Sequence, residues 1–281
     1  MKALKYLFIG NINFNKTVII KLSNLKLIYC DNCKNFRLSN IICKKLKTLY
    51  YHNNNLSNLI ELIDYNFKEI KELNLRFNNI SDIEVLEKAK FDKLELLFLG
   101  KNKISNIRSL GNFNFKKLKI LDLTENKISD FQPLEKVKFD KLEELYLGEN
   151  HISNIDFLIN VNFKELKVLN LFINNISNIE ALKNVKFEKL ETLDLSHNNI
   201  SDINVFQNIN FKQLKNLNLT GNKISDINSL LEFKELEILK LRLNNISDFS
   251  ILSYGNFKKL KLKQLTKDLQ NLIYKNNFRL I

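Results

Sequence analysis

A block of fourteen residues recurs down this chain at an almost constant spacing, and that recurrence limits the fold more than any other property. Leu94 to Ile107 reads LELLFLGKNKISNI, Leu142 to Ile155 reads LEELYLGENHISNI, and Leu190 to Ile203 reads LETLDLSHNNISDI. The shared pattern is L-x-x-L-x-L-x-x-N-x-I-S-x-I. Its first Leu or Ile falls at 46, 70, 94, 118, 142, 166, 190, 214 and 236, seven steps of 24 residues and a last step of 22. The apolar residues at the fourth and sixth positions alternate with period two, as in a strand with one buried face. One copy cannot bury that face alone, so the copies must stack as parallel strands around a shared core.

The ninth position is filled by Asn54, Asn78, Asn102, Asn126, Asn150, Asn174, Asn198, Asn222 and Asn244. An Asn amide offers two donors and an acceptor, enough to satisfy turn backbone that stacking would otherwise bury unpaired. These residues are expected to form a structural ladder. The second half of each repeat supplies the other wall. Ser81 to Glu84 and Ser177 to Glu180 have the spacing of capping boxes and predict a short helix or 3-10 turn. Leu86, Leu110, Leu134, Leu158, Leu182 and Phe206 follow in register. A column of Phe67, Phe91, Phe115, Phe139, Phe163, Phe187, Phe211, Phe233 and Phe257 comes next. Its fixed place before the next repeat predicts core packing rather than a surface for stacking bases.

These residues resemble the leucine-rich-repeat family, whose signature is L-x-x-L-x-L-x-x-N-x-L. The likeness covers residues 46–257 in nine copies. The N-x-I-S-[ND]-I continuation is most similar to the short repeats of bacterial internalins and of phosphatase-regulator-type proteins, although a step of 24 departs from their usual length of about 22. The resemblance implies an α/β solenoid: a curved horseshoe with a parallel concave sheet and short helices or 3-10 turns on the convex side. Residues 1–45 are expected to form an N-terminal cap of degenerate repeats, 46–259 the nine repeats and 260–281 a C-terminal cap, all in one continuous domain. In the cap, Leu4-Leu7-Ile9 has repeat spacing, and both Leu22-Leu25-Leu27 and Leu25-Ile28-Cys30-Cys33 offer a further copy. Beyond Leu260, the positions Leu265, Leu269, Leu272 and Ile273 suggest a capping helix.

The formal charge is +13, which invites a nucleic-acid or acidic-surface reading. Its distribution argues against a continuous basic surface. Residues 1–49 hold ten Lys or Arg and one acid, residues 255–281 hold seven and one, and the chain between them is close to neutral. The three cysteines, Cys30, Cys33 and Cys43, lack the partners for a tetrahedral metal site. The resemblance implies instead that cysteine replaces the ladder Asn as a buried structural residue. No phosphate loop, H-E-x-x-H or catalytic constellation occurs, so no enzyme activity, cofactor or metal is expected. The sequence shows neither a signal peptide nor an apolar run of membrane-spanning length. A monomeric cytoplasmic protein is the expectation, with export by another route left open.

The resemblance implies a protein-interaction scaffold, a regulatory or targeting subunit that uses the concave face. Positions between the core leucines point onto that face. The candidate partner-binding residues are Phe77, Phe98, Lys101, Asp122, Glu125, Tyr146, Glu149, Phe172 and Ile173, an aromatic and aliphatic cluster beside a solvated acidic patch. Two other functions are weighed. One is a nucleic-acid or acidic-surface binder using the basic termini, against which the acidic middle counts. The other is a secreted, host-directed, internalin-like effector.

Overall fold

The computed structural model describes residues 4–14, 20–34, 36, 41–60, 62, 67–89, 91–254, 257 and 259–260. Two compact units are present, Met1–Glu143 and Glu144–Ile281. The first contains a parallel sheet with strands β1 (Tyr6–Gly10), β3 (Leu27–Asp31), β5 (Thr48–His52), β6 (Glu72–Asn74), β7 (Leu96–Phe98) and β8 (Ile120–Asp122), in that spatial order. Away from it, β2 (Ile20–Lys21) pairs with β4 (Ile41–Ile42). The second unit contains β9 (Glu144–Tyr146), β10 (Val168–Asn170), β11 (Thr192–Asp194), β12 (Asn216–Asn218) and β13 (Ile238–Lys240), again parallel and in chain order.

Register follows the sequence pattern residue for residue. Leu73 pairs with Leu97 and Leu97 with Leu121. Leu169 pairs with Leu193 and Leu193 with Leu217. In the N-terminal segment Leu7 pairs with Ile28 and Ile28 with Leu49. The repeats there therefore start at Leu4, Leu25 and Leu46, at a step of 21 residues. This selects the copy that runs through Cys30 and Cys33 over the one starting at Leu22.

The opposite wall consists of 3-10 turns, including Glu84–Lys88, Arg108–Asn112 and Gln132–Lys136 in the first unit and Asp156–Ile159, Glu180–Asn184, Asn204–Asn208 and Asn228–Glu232 in the second. The expected capping boxes do not form. The Asn or Asp after each Ser starts the turn instead, its side-chain oxygen accepting the N–H two residues on. Asp82 takes that of Glu84, Asn106 that of Arg108 and Asn178 that of Glu180. An Asx turn needs only this short side chain, which frees the Ser and the acid from capping duty.

The leucine column is buried as the pattern requires, and Phe67, Phe91, Phe115, Phe139, Phe163, Phe187, Phe211 and Phe233 lie inside, while Phe257 at the end of its column is half-buried. The F-x-x-L spacing has a local cause: each Phe carbonyl accepts the N–H of the Leu that opens the next repeat, as in Leu94 to Phe91 and Leu190 to Phe187. Phe115 and Phe139 stack with centroids 6.5 Å apart. The C-terminal capping helix suggested by Leu265 to Ile273 lies outside the described residues.

The Asn ladder joins one repeat to the next. The Asn102 amide donates to the carbonyls of Leu75, Leu99 and Gly100, and its oxygen accepts the N–H of Ile80. Asn198 does the same with Leu171, Leu195, Ser196 and Ile176. At the N-terminal end Cys33 occupies the ladder position, buried, with its N–H donated to Asn54 Oδ1 at 2.7 Å. Each stranded buried backbone group costs on the order of 1–3 kcal/mol. Asn102→Ala is therefore expected to lose at least about 3 kcal/mol in urea unfolding, whereas Asn79→Ala, which breaks only an exposed amide contact to Asn55, should lose under about 0.5 kcal/mol. A loss below about 1 kcal/mol for Asn102→Ala would show that the ladder is dispensable.

Candidate functional site

The solvent face of each sheet is built from the third, fifth, seventh and eighth positions of the repeat. The eighth has a backbone property that sequence patterning did not anticipate. Asn11, Asn32, Asn53, Phe77, Lys101, Glu125, Glu149, Ile173, His197, Gly221 and Leu243 occupy it in turn, and every one has φ between +46° and +69°. The cause is the ladder. The N–H at this position still reaches the sheet, as Phe77 does to the Gly100 carbonyl and Ile173 to that of Ser196. In nine of the eleven the next residue then swings its side chain inward as the ladder Asn, and a left-handed residue joins the two. Asn or Gly at positions 11, 32, 53 and 221 was the legible signal, since these residues tolerate that region.

In the first unit the structure brings Phe77, Lys101 and Glu125 together. Lys101 Nζ sits 4.8 Å from the Phe77 ring centroid and 2.7 Å from Glu125 Oε2. Phe77 is 48% exposed, so the cation covers only part of the ring. Phe98 pairs in register with Asp122 and is half-buried.

Asp122, expected on a solvated acidic patch, is instead 2% exposed. Arg76 crosses an intervening repeat to reach it, Nη1 to Oδ2 at 2.8 Å, and the N–H of Thr124 bonds its other oxygen. Gly100 opens the path, because a Cβ there would lie 2.9 Å from Asp122 Oδ2. With Glu125 on Lys101 and Asp122 on Arg76, both carboxylates are neutralised locally.

In the second unit Tyr146 and Phe172 are half-buried, with their surfaces partly used within the fold. Tyr146 donates to Glu144 at 2.6 Å. The Phe172 ring lies over Gly148, where a Cβ would come within 2.1 Å of it. Glu149 N–H bonds the Phe172 carbonyl. Ile173 stands 45% exposed beside them.

A further aromatic group escaped sequence reading because the N-terminal register was open. The fifth-position column begins Phe8, Tyr29, Tyr50, with centroids 6.0 and 5.8 Å apart. Tyr29 Oη lies 3.1 Å from His52 Nε2, and Tyr50 donates to Glu72. Burial raises the Tyr50 hydroxyl pKa to about 12, helped by that carboxylate. Burial pushes the Cys30 and Cys43 thiols up as well, which keeps both in the unreactive protonated form. Among the described residues no group of three or more His, Cys, Asp or Glu could hold a metal ion. No helix there is long and apolar enough to cross a membrane.

The profile described as "Leucine Rich repeats (2 copies)" matches residues 92–136, 140–184 and 188–232, and "Leucine Rich repeat" matches 70–83. Together these span more than half of the chain, which belongs to the leucine-rich-repeat family. Among curated proteins no sequence matches. Among solved structures, the internalin InlF of Listeria monocytogenes is similar at 28% identity and TM-score 0.71, covering 85% of this chain and 67% of its own. Internalin C2 of the same organism is similar at 29% identity and TM-score 0.61, covering 70% and 81%. The ectodomain of the Arabidopsis thaliana receptor kinase GASSHO1/SCHENGEN3, solved in complex with Casparian strip integrity factor 2, shares the fold at 21% identity and TM-score 0.65, covering 86% of this chain and 30% of its own.

Removing Arg76 strands a buried carboxylate. Arg76→Met is expected to destabilise by about 3 kcal/mol, while the double variant Arg76→Met with Asp122→Asn recovers most of that loss. Chemical denaturation of the four-membered cycle reads the coupling, and additive losses would mean that Asp122 does not depend on Arg76.

Proposed function

We propose that the chain binds partner protein through the solvent faces of its sheets and acts as a regulatory or targeting scaffold. One observation carries this reading. Phe77, Ile173 and Leu243 are large apolar residues, 48%, 45% and 70% exposed, held in left-handed backbone. Each is doubly unfavourable there: a left-handed conformation costs a non-glycine residue on the order of 1–2 kcal/mol, and the apolar surface stays in water. The same position holds Asn or Gly in four other repeats, so the fold does not require bulk there. Large exposed apolar side chains at a strained position that Asn or Gly would fill more easily point to contact with a partner. Phe98, Tyr146 and Phe172 add half-buried aromatic surface, while Lys101, Glu125 and Glu149 supply charge that fixes orientation. Asp122 contributes indirectly, by holding Arg76 down across the face.

The receptor ectodomain solved with Casparian strip integrity factor 2 is consistent with use of this fold for protein recognition. Likeness to two Listeria internalins at 28% and 29% identity favours a second reading, a secreted or host-directed effector that binds its partner through the same face. Fractionation of the native cells separates the two, because an effector is recovered outside them.

Ile173→Asn is expected to raise stability by about 1 kcal/mol, lifting the melting temperature by roughly 2–4 °C. Combined with Phe77→Asn it should abolish partner capture from native lysate, as read by mass spectrometry against wild type. Undiminished capture by the folded double variant would sink the sheet-face reading. A lower melting temperature for Ile173→Asn would remove the strain on which it rests.

A further inference from the structure

The N-terminal strands of the first unit combine two features that the later repeats keep apart. The first is exposed aromatic surface. Tyr6 and Phe8 on β1 are 55% and 67% exposed, and Phe8 leads the ring column that continues through Tyr29. The second is uncompensated positive charge. Lys5, Lys26, Lys47 and Lys71 occupy the second repeat position, and their backbones are joined: the N–H of Lys26 bonds the carbonyl of Lys5, Lys47 that of Lys26 and Lys71 that of Lys47, at 2.7 to 2.8 Å. Further along, the column alternates in sign, and Glu95 accepts both Lys71 at 2.8 Å and Lys119 at 3.0 Å. Among the described residues no carboxylate pairs with Lys5, Lys26 or Lys47, although Lys47 lies within the field of Glu69. Like charges stacked at about 4.8 Å repel, and this column lacks the neutralising acid that its continuation has.

We infer that this face, with Tyr6, Phe8 and Tyr29 flanked by Lys5, Lys26 and Lys47, is the docking site for an acidic segment of a partner protein that carries aromatic or aliphatic side chains. The inference rests on the protein-binding reading above and names the chemistry of the partner. Charge complementarity selects the acid, and the exposed rings select the apolar side chains.

Geometry favours a protein over a single-stranded nucleic acid. The Phe8–Tyr29 and Tyr29–Tyr50 rings are inclined by 36° and 51° with centroids about 6 Å apart, which leaves no slot for a base between them. Asp31, 3.5 Å from His52, and Glu72, held by Tyr50, put carboxylates beside the rings, where a phosphate backbone would be repelled. A peptide can set its acids against the lysines and its apolar side chains over Tyr6 and Phe8 without meeting these groups.

The test is selection of a phage-displayed linear 12-residue library on the full chain, followed by titration of the selected peptides, with a 20-residue oligothymidylate as a second probe. The selected peptides should be rich in Asp or Glu together with Phe, Tyr or Leu. Lys5→Glu/Lys26→Glu/Lys47→Glu should weaken them at least tenfold, as should Tyr6→Ser/Phe8→Ser, which changes two exposed side chains. Unchanged circular dichroism and urea midpoints establish that both variants fold. Peptides without acidic enrichment, or bound equally by the lysine variant, would overturn the inference. So would oligothymidylate binding that the lysine variant abolishes while acidic peptides fail to bind. Peptides lost on Phe77→Asn/Ile173→Asn but kept by the N-terminal variants would move the docking site and leave the protein-binding function standing. Recovery of no peptide at all, with partner capture unaffected by any of these changes, would remove both.

Discussion

From Asn54 onward, a primary amide faces inward from each turn and ties one repeat to the next. From β6 onward, strands of only three residues give neighbouring strands few backbone bonds, and a parallel ladder that short has little stability of its own. The ladder Asn adds bonds that a strand cannot make. Its donors hold carbonyls of its own repeat and of the one before, and its oxygen holds an N–H of the preceding repeat. Removing one such side chain exposes several buried groups at once, and a whole domain is stable by only about 5–15 kcal/mol. The leucine and phenylalanine columns supply the bulk of the burial, but the amide sets the register in which they meet.

The same side chain sets the character of the solvent face. Because the amide must turn inward, the residue before it is forced into left-handed backbone and its side chain outward. The solenoid thereby creates one strained outward position per repeat and fills it with Asn, Gly, Lys, Glu, His, Phe, Ile or Leu. Asn and Gly relieve the strain, whereas Phe77, Ile173 and Leu243 keep it in the open. In the first unit two ion pairs lower the polarity of that face locally: Lys101 with Glu125, and Arg76 with Asp122.

The fold was legible in the sequence because a repeat states the same structural problem many times. Nine Asn in register, with Leu and Phe columns at one spacing, leave a single way to bury the apolar face. Reading weakened wherever that redundancy stopped. The N-terminal strands step by 21 residues and replace the ladder Asn with Cys33, so their register emerged only from the pairing of Ile28 with Leu49, and the ring column through Phe8 and Tyr29 stayed hidden with it. The candidate site was half legible. Period two placed the fifth-position Phe98 and Tyr146 on the face, while Phe77 and Ile173, at the eighth position, reach it only through the left-handed turn that period two does not predict. How far each stays exposed depends on neighbours one or two repeats away. Asp122 sinks because Arg76 reaches it, and Phe172 folds over Gly148; neither contact leaves a mark in local sequence. The Asx turns were missed for a smaller reason, as Ser81 and Glu84 imitate a capping box while Asp82 between them makes the bond.

Repeat proteins are often pictured as strings of interchangeable modules. The reach of Arg76 across the Gly100 repeat to Asp122 limits that picture here. The three residues lie in three successive copies, and each has its use only in the presence of the other two. Duplication or exchange of a copy would preserve the amide ladder and the leucine core and still bring the wrong side chain opposite the glycine. The interior can therefore be rearranged one repeat at a time, while this stretch of the surface is inherited as a block of three.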